Sequence, residues 1–68
     1  MRDPRVDPKP GDVVRTSESD EYRVDKVERG YVHDTCIKGM DEGQGGMSNT
    51  LEVWCEFMKD AEVLHVAE

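Results

Sequence analysis

The apolar residues of this chain are unevenly distributed, and that limits its folds more than any other feature. The stretch Asn49 to Val66, NTLEVWCEFMKDAEVLHV, holds the only tryptophan, the only phenylalanine and both leucines of 68 residues. A core built without this stretch would consist mostly of valines. Its pattern is helical in the first half. Asn49 with Glu52 three residues on has capping-box spacing. Leu51, Trp54, Cys55 and Met58 recur at i, i+3, i+4 and i+7, one face of a helix. Val53 and Phe57 form a neighbouring i, i+4 pair, and Glu52, Glu56, Lys59 and Asp60 take the wet side. The spacing predicts a helix over 50–60 and a short last strand within 61–67. A competing reading runs a strand through MSNTLEVW and leaves one helical turn around Glu56–Lys59.

Upstream the periodicity is that of strands. Prolines 4, 8 and 10 exclude a helix or an inner strand over residues 1–10, so these read as an extended arm before a single domain at 11–68. Pro10-Gly11-Asp12 is a turn signal, and Val13-Val14 opens a strand. After the polar turn SESD, the segment EYRVDKVE alternates, with Tyr22 and Val24 on one face; a bulge at Asp25-Lys26 would return Val27 to it. Arg29-Gly30 then makes a hairpin turn. In YVHDTCIK one face offers Tyr31, His33, Thr35 and Ile37, the other Val32, Asp34 and Cys36. Burying Asp34 without a partner is costly, so the expected inner face is that of Tyr31 and Ile37. The four-glycine segment GMDEGQGGMS reads as a loop, or as a wide hairpin tip with Met47 starting a fourth strand.

Sixty-eight residues make at most one domain. A chain this short buries only about 60% of its unfolded surface, which leaves little structure to enclose a deep pocket. Sixteen acidic residues against nine basic ones give a net charge of −7. The bases are scattered among acids, so a phosphate-binding surface is disfavoured, on nucleic acid or on an anionic membrane. No apolar run approaches membrane-spanning length, and MRDPRVDPKPGD has no hydrophobic leader segment. The expectation is a soluble cytoplasmic protein in which Cys36 and Cys55 are buried thiols rather than a disulfide.

The order PKPGDVVR, then YRVDKVERGYV, then a helical segment feeding a final strand resembles that of small SH3-like barrels. These include KOW-type modules and many small phage and bacterial proteins. The resemblance covers the layout of residues 8–66, and PGDVV is similar to the first strand of such modules. It implies an α+β fold: a strongly bent antiparallel sheet of four to five strands with one C-terminal helix over an open end. It also implies a binding module rather than an enzyme. KOW-type modules meet RNA or ribosomal partners through basic loops; here SESDEY and MDEGQ are acidic, which turns the expectation towards a protein partner.

Other chemistry finds less support. His33 and Cys36, with Cys55 and His65, form a potential zinc set, but residues three apart on a strand face opposite ways, and the second pair lacks knuckle spacing. A cysteine–histidine nucleophile needs an electropositive setting, and this one is acidic. The glycines of the GMDEGQGG loop lack the strand–helix context of a phosphate cradle. No cofactor is expected. The apolar face of this helix is expected to supply the core; such of Trp54, Phe57 and Met58 as stay exposed, rimmed by Glu52, Glu56 and Asp60, are expected to meet a basic or mixed protein surface. Aromatic anchors inside a polar rim are the usual hot-spot arrangement, and self-association through the same patch is equally compatible. The alternative is an acidic surface that imitates nucleic acid and fills a basic groove, as small phage inhibitors of host nucleases do. Its candidates are Glu18, Asp20, Glu21, Asp41 and Glu42.

Overall fold

A computed structural model describes residues 2–39 and 47–67. Five strands and one helix follow in order: β1 Val13–Arg15, β2 Glu21–Glu28, β3 Tyr31–Lys38, β4 Met47–Thr50, α1 Leu51–Met58 and β5 Glu62–His65. All strand pairs are antiparallel, in the order β4-β3-β2-β1-β5. The fold is therefore α+β. The sheet stays open rather than closing into a barrel, since its end strands β4 and β5 pair only inward.

The β2–β3 hairpin turns at Arg29-Gly30, both at positive φ (53° and 79°), as a two-residue hairpin turn requires. A register shift between Val24 and Lys26 marks the expected bulge. It does bring Val27 opposite Val32, on the inner side. Val27 nevertheless remains 37% exposed, because the hairpin tip extends past its cover.

The inner face of β3 is the reverse of the one expected. Val32, Asp34 and Cys36 point into the core, and Tyr31 is 48% exposed. Cross-strand pairing decides this. Tyr22 pairs with Cys36, and Val24 with Asp34, so the buried side chains of β2 place those of β3 on the same face. Turning Asp34 out would have carried Val32 and Cys36 with it, because alternate residues flip together.

Helix α1 is shorter than the pattern suggested and begins one residue past its cap, Thr50 rather than Asn49. Thr50 Oγ1 accepts a hydrogen bond from the Val53 amide at 3.2 Å. The four residues before the helix are strand, so the junction combines the two sequence readings. Trp54 and Met58, at i and i+4, are completely buried with Val14, Tyr22, Val24, Val32, Cys36 and Ala61. Leu51, Val53 and Phe57, which the sequence offers equally to the core, stay exposed.

Residues 2–10 fold back instead of extending away. Amides of Val6 and Asp7 donate to the Asp3 carbonyl, and Pro4 and Pro8 are buried. The Trp54 indole N–H donates to the Pro4 carbonyl at 3.0 Å, so the arm and the helix together cover the inner face. The other face of the sheet is wet and laced with ion pairs, among them Arg15–Glu62 and Arg23–Asp25.

Candidate functional site

The exposed apolar side chains gather where β4 meets α1. Met47 and Asn49 lie on the inner side of β4, because they pair with Asp34 and Val32 of the inner face. The helix rises directly from the end of β4. Its phase, set by the Thr50 cap and by Trp54 and Met58 pointing inward, turns Val53 and Phe57 towards β4. The result is an open groove of about 550 Å³ lined by Met47, Asn49, Val53, Glu56 and Phe57. Val53 is 51% exposed and Phe57 57%. Phe57 is steadied by an edge-on contact with Tyr22, ring centroids 6.2 Å apart at 66°.

Phe57 also walls a second, smaller depression of about 110 Å³, with Thr16, Ser17, Glu18, Asp20, Asp60 and Ala61. Three carboxylates therefore share one rim. Asp20 fits tightly against Gly39: a Cβ at that position would lie 2.1 Å from Asp20 Oδ1, and Gly39 has φ of 128°, so only glycine fits.

Each residue singled out in the sequence now has a place. Trp54 and Met58 are inside, holding the helix, and present no surface to a partner. Phe57, Glu52, Glu56 and Asp60 are exposed. Glu56 is in ion-pair contact with Lys59 at 3.3 Å, and Glu52 occupies the first helical turn, where a negative charge suits the helix dipole. Of the acidic alternative set, Glu18 and Asp20 come together with Asp60, whereas Glu21 is in ion-pair contact with Lys38 at 3.7 Å and lies outside the depression. Asp41 and Glu42 lie outside the described residues.

Two groove residues, Met47 and Asn49, were missed in the sequence. Their segment, MSNT, carries a single apolar residue and no alternation, so nothing local marks it as one wall of a groove.

The remaining reactive groups are dispersed. Cys36 is buried, with its Sγ 3.4 Å from the Lys38 carbonyl, and Cys55 is half-buried; both are free thiols. His33 and Cys36 face opposite sides of β3, and no metal-holding group of three or more ligands occurs among the described residues. Ser48 Oγ lies 2.8 Å from His33 Nδ1 on the wet face. No described carboxylate bonds the far ring nitrogen and no cleft surrounds the pair, so it lacks the oriented base that a nucleophile needs.

Two carboxylates are buried among the described residues. Asp12 is held by Arg2 through both guanidinium nitrogens and accepts from the amides of Lys9 (2.8 Å) and Ala67 (2.7 Å). Burial alone would raise its pKa, but the guanidinium and the two N–H donors outweigh it, so Asp12 titrates below the usual carboxylate range. Asp34 has no such help. Its Oδ1 has no hydrogen-bond partner, and burial, reinforced by the nearby charge of Asp25, pushes its pKa up to about 6.

No described helix is long and apolar enough to cross a membrane. No family model, no curated protein and no solved structure matches the chain.

Proposed function

We propose that this chain is a small non-enzymatic interaction module of the cytoplasm that docks a protein of basic or mixed surface on the β4–α1 groove. The observation that carries this reading is the pairing of half-exposed Val53 and Phe57 with Met47 in an open apolar groove, on a chain of net charge −7. Large apolar side chains left outside a core this small are a feature of binding sites. Glu56 lines the groove, and Glu52 and Asp60 are exposed on the helix and just past its end. The chain order, four strands then a helix feeding a fifth, supports the SH3-like layout in its coarse outline, and with it a module that binds rather than catalyses.

The acidic depression supports a second reading, nucleic-acid imitation by Glu18, Asp20 and Asp60 against a basic groove. Salt and substitution separate the two. Partner capture from the source cells should survive roughly 0.5 M salt and be lost in Phe57→Asp if the apolar groove leads. It should vanish with salt and in Glu18→Gln/Asp20→Asn, with Phe57→Asn tolerated, if charge leads. Capture insensitive to every one of these changes would remove both readings.

A further inference from the structure

We infer that the partner of the β4–α1 groove binds as an extended strand, alternating apolar and basic residues, that adds to the free edge of β4. This rests on the groove being the docking surface and specifies what fills it.

Backbone register is the first ground. In a hairpin with a two-residue turn, the flanking residues Glu28 and Tyr31 exchange their hydrogen bonds with each other. Tyr31 therefore turns its amide and carbonyl to β2, and Val32 turns its own to Asn49 of β4. The Leu51 amide donating to the Gly30 carbonyl at 2.8 Å continues the same phase. It follows that Met47, Asn49 and Leu51 are the β4-side residues bonded to β3, while the amides of Ser48 and Thr50 and the Ser48 carbonyl point to the open edge. No strand among the described residues pairs there.

The opposite edge of the sheet is managed differently. The carbonyls of Ala61 and Ala67, which flank β5, accept from the guanidinium groups of Arg5 (3.4 Å) and Arg2 (2.5 Å). An edge that no described strand pairs, beside an apolar groove, is the arrangement used in strand addition: main-chain bonds provide affinity, and alternate side chains enter the neighbouring pocket. A four-residue edge spans about 13 Å, enough for two alternate side chains of the incoming strand to reach Met47, Val53 and Phe57.

Charge selects the occupant. Glu56 lines the groove, Asp60 with Glu18 and Asp20 lines the depression on the other side of Phe57, and the whole chain carries −7. A second copy meeting edge to edge would bring Glu56 against Glu56 and two chains of net charge −7 together. A strand with lysine or arginine at alternate positions meets opposite charge instead.

The test uses the full isotope-labelled chain and an end-capped heptapeptide of alternating valine and lysine. Two companions carry glutamate in place of lysine, or N-methyl groups on alternate backbone amides. Binding of the lysine peptide should shift the Ser48, Thr50, Val53 and Phe57 amides and slow Ser48 exchange at least about tenfold; each companion, and the Phe57→Asp chain, should bind about tenfold more weakly or worse. An N-methylated peptide that binds as well as its parent, with shifts at Val53 and Phe57 only, overturns strand addition and leaves the docking surface standing. Shifts at neither β4 nor Phe57 overturn both. Concentration-dependent protection of Ser48 without peptide, with a dimer in sedimentation, assigns the edge to a second copy and overturns the inference.

Discussion

Asp12 and Asp34 are both buried carboxylates, yet the fold treats them in opposite ways. Asp12 closes the molecule. Its two oxygens receive Arg2 from the arm, the Lys9 amide from the turn before β1, and the Ala67 amide from the far end of the chain. Asp34 lies mid-strand between Val24 and Met47, and its Oδ1 receives nothing. Burial is thus not what decides whether a charge stabilises. What decides is whether donors converge on it, and donors converge where chain ends meet rather than in the middle of a regular ladder whose amides are already used.

The largest effect should come from breaking the satisfied site. Asp12→Ala leaves the Arg2 guanidinium and two amides without their acceptor and releases the arm from the last residues of the sheet. Removing one member of a buried, hydrogen-bonded pair costs about 3–5 kcal/mol, a large part of what so small a domain has. Urea denaturation of the variant should show the loss, and the arm amides of Val6 and Asp7 should exchange faster. A cost under about 0.5 kcal/mol would mean that the network is only a surface association.

Relieving the unsatisfied site should act in the other direction. Asp34→Asn removes the charge at nearly constant shape. Burial, which raises the carboxyl from 3.8 to about 6, makes its ionised form costly at pH 7, and the uncharged amide removes that cost while keeping some unmet bonds of its own. The variant should therefore be more stable than the parent at pH 7 and equal to it, or less stable, near pH 4. Loss of stability at both pH values would show that the carboxylate has a donor beyond its own backbone amide.

The pair also shapes the pH profile of the unaltered protein. Asp34 binds its proton more tightly folded than unfolded, so the stability it contributes is full below 3.8 and is lost as pH rises through about 6. Asp12 is depressed, so its contribution is present above 3.8 and is lost as pH falls through its lower folded value. Denaturation midpoints should peak near pH 4 and fall between about pH 4 and 6, and Asp34→Asn should flatten only that fall. A profile level from pH 5 to 8 would contradict the assignment to Asp34.

Neither carboxylate could be weighed from sequence. Asp12 sits in PGDVV, where it reads as a turn residue; beyond the neighbouring Lys9 amide, its partners are ten and 55 positions away. Asp34 was placed outside on the sound argument that a lone buried charge is costly. The pairing of β3 with Tyr22 and Val24 overrode that cost, since register moves all alternate residues at once. Local signals were read more reliably. The hairpin at Arg29-Gly30, the bulge after Val24 and the Trp54–Met58 stripe depend on neighbours in sequence, and each is present. The groove was half legible: Phe57 and its acidic rim were named, but Met47 and Asn49 join it only through the open edge of β4. The burial of Trp54 depends on the Pro4 carbonyl, fifty residues away.

The smallest effect separates the two causes acting on Asp34. Burial is the larger and the charge of Asp25 the smaller. Asp25 lies on the exposed side of the sheet, where its carboxylate takes the Thr35 hydroxyl at 2.5 Å and Arg23 at 3.2 Å. Asn in its place keeps an acceptor for both. Because an exposed charge acts through a largely aqueous path, Asp25→Asn should lower the Asp34 midpoint by about half a pH unit or less, read from its carboxyl carbon shift in an NMR titration. Raising salt should reproduce most of that change in the parent and none in the variant. A larger fall, with the midpoint returning to the ordinary range, would make Asp34 a member of a charge pair rather than a desolvated group, and its contrast with Asp12 would then be one of neighbours and not of burial.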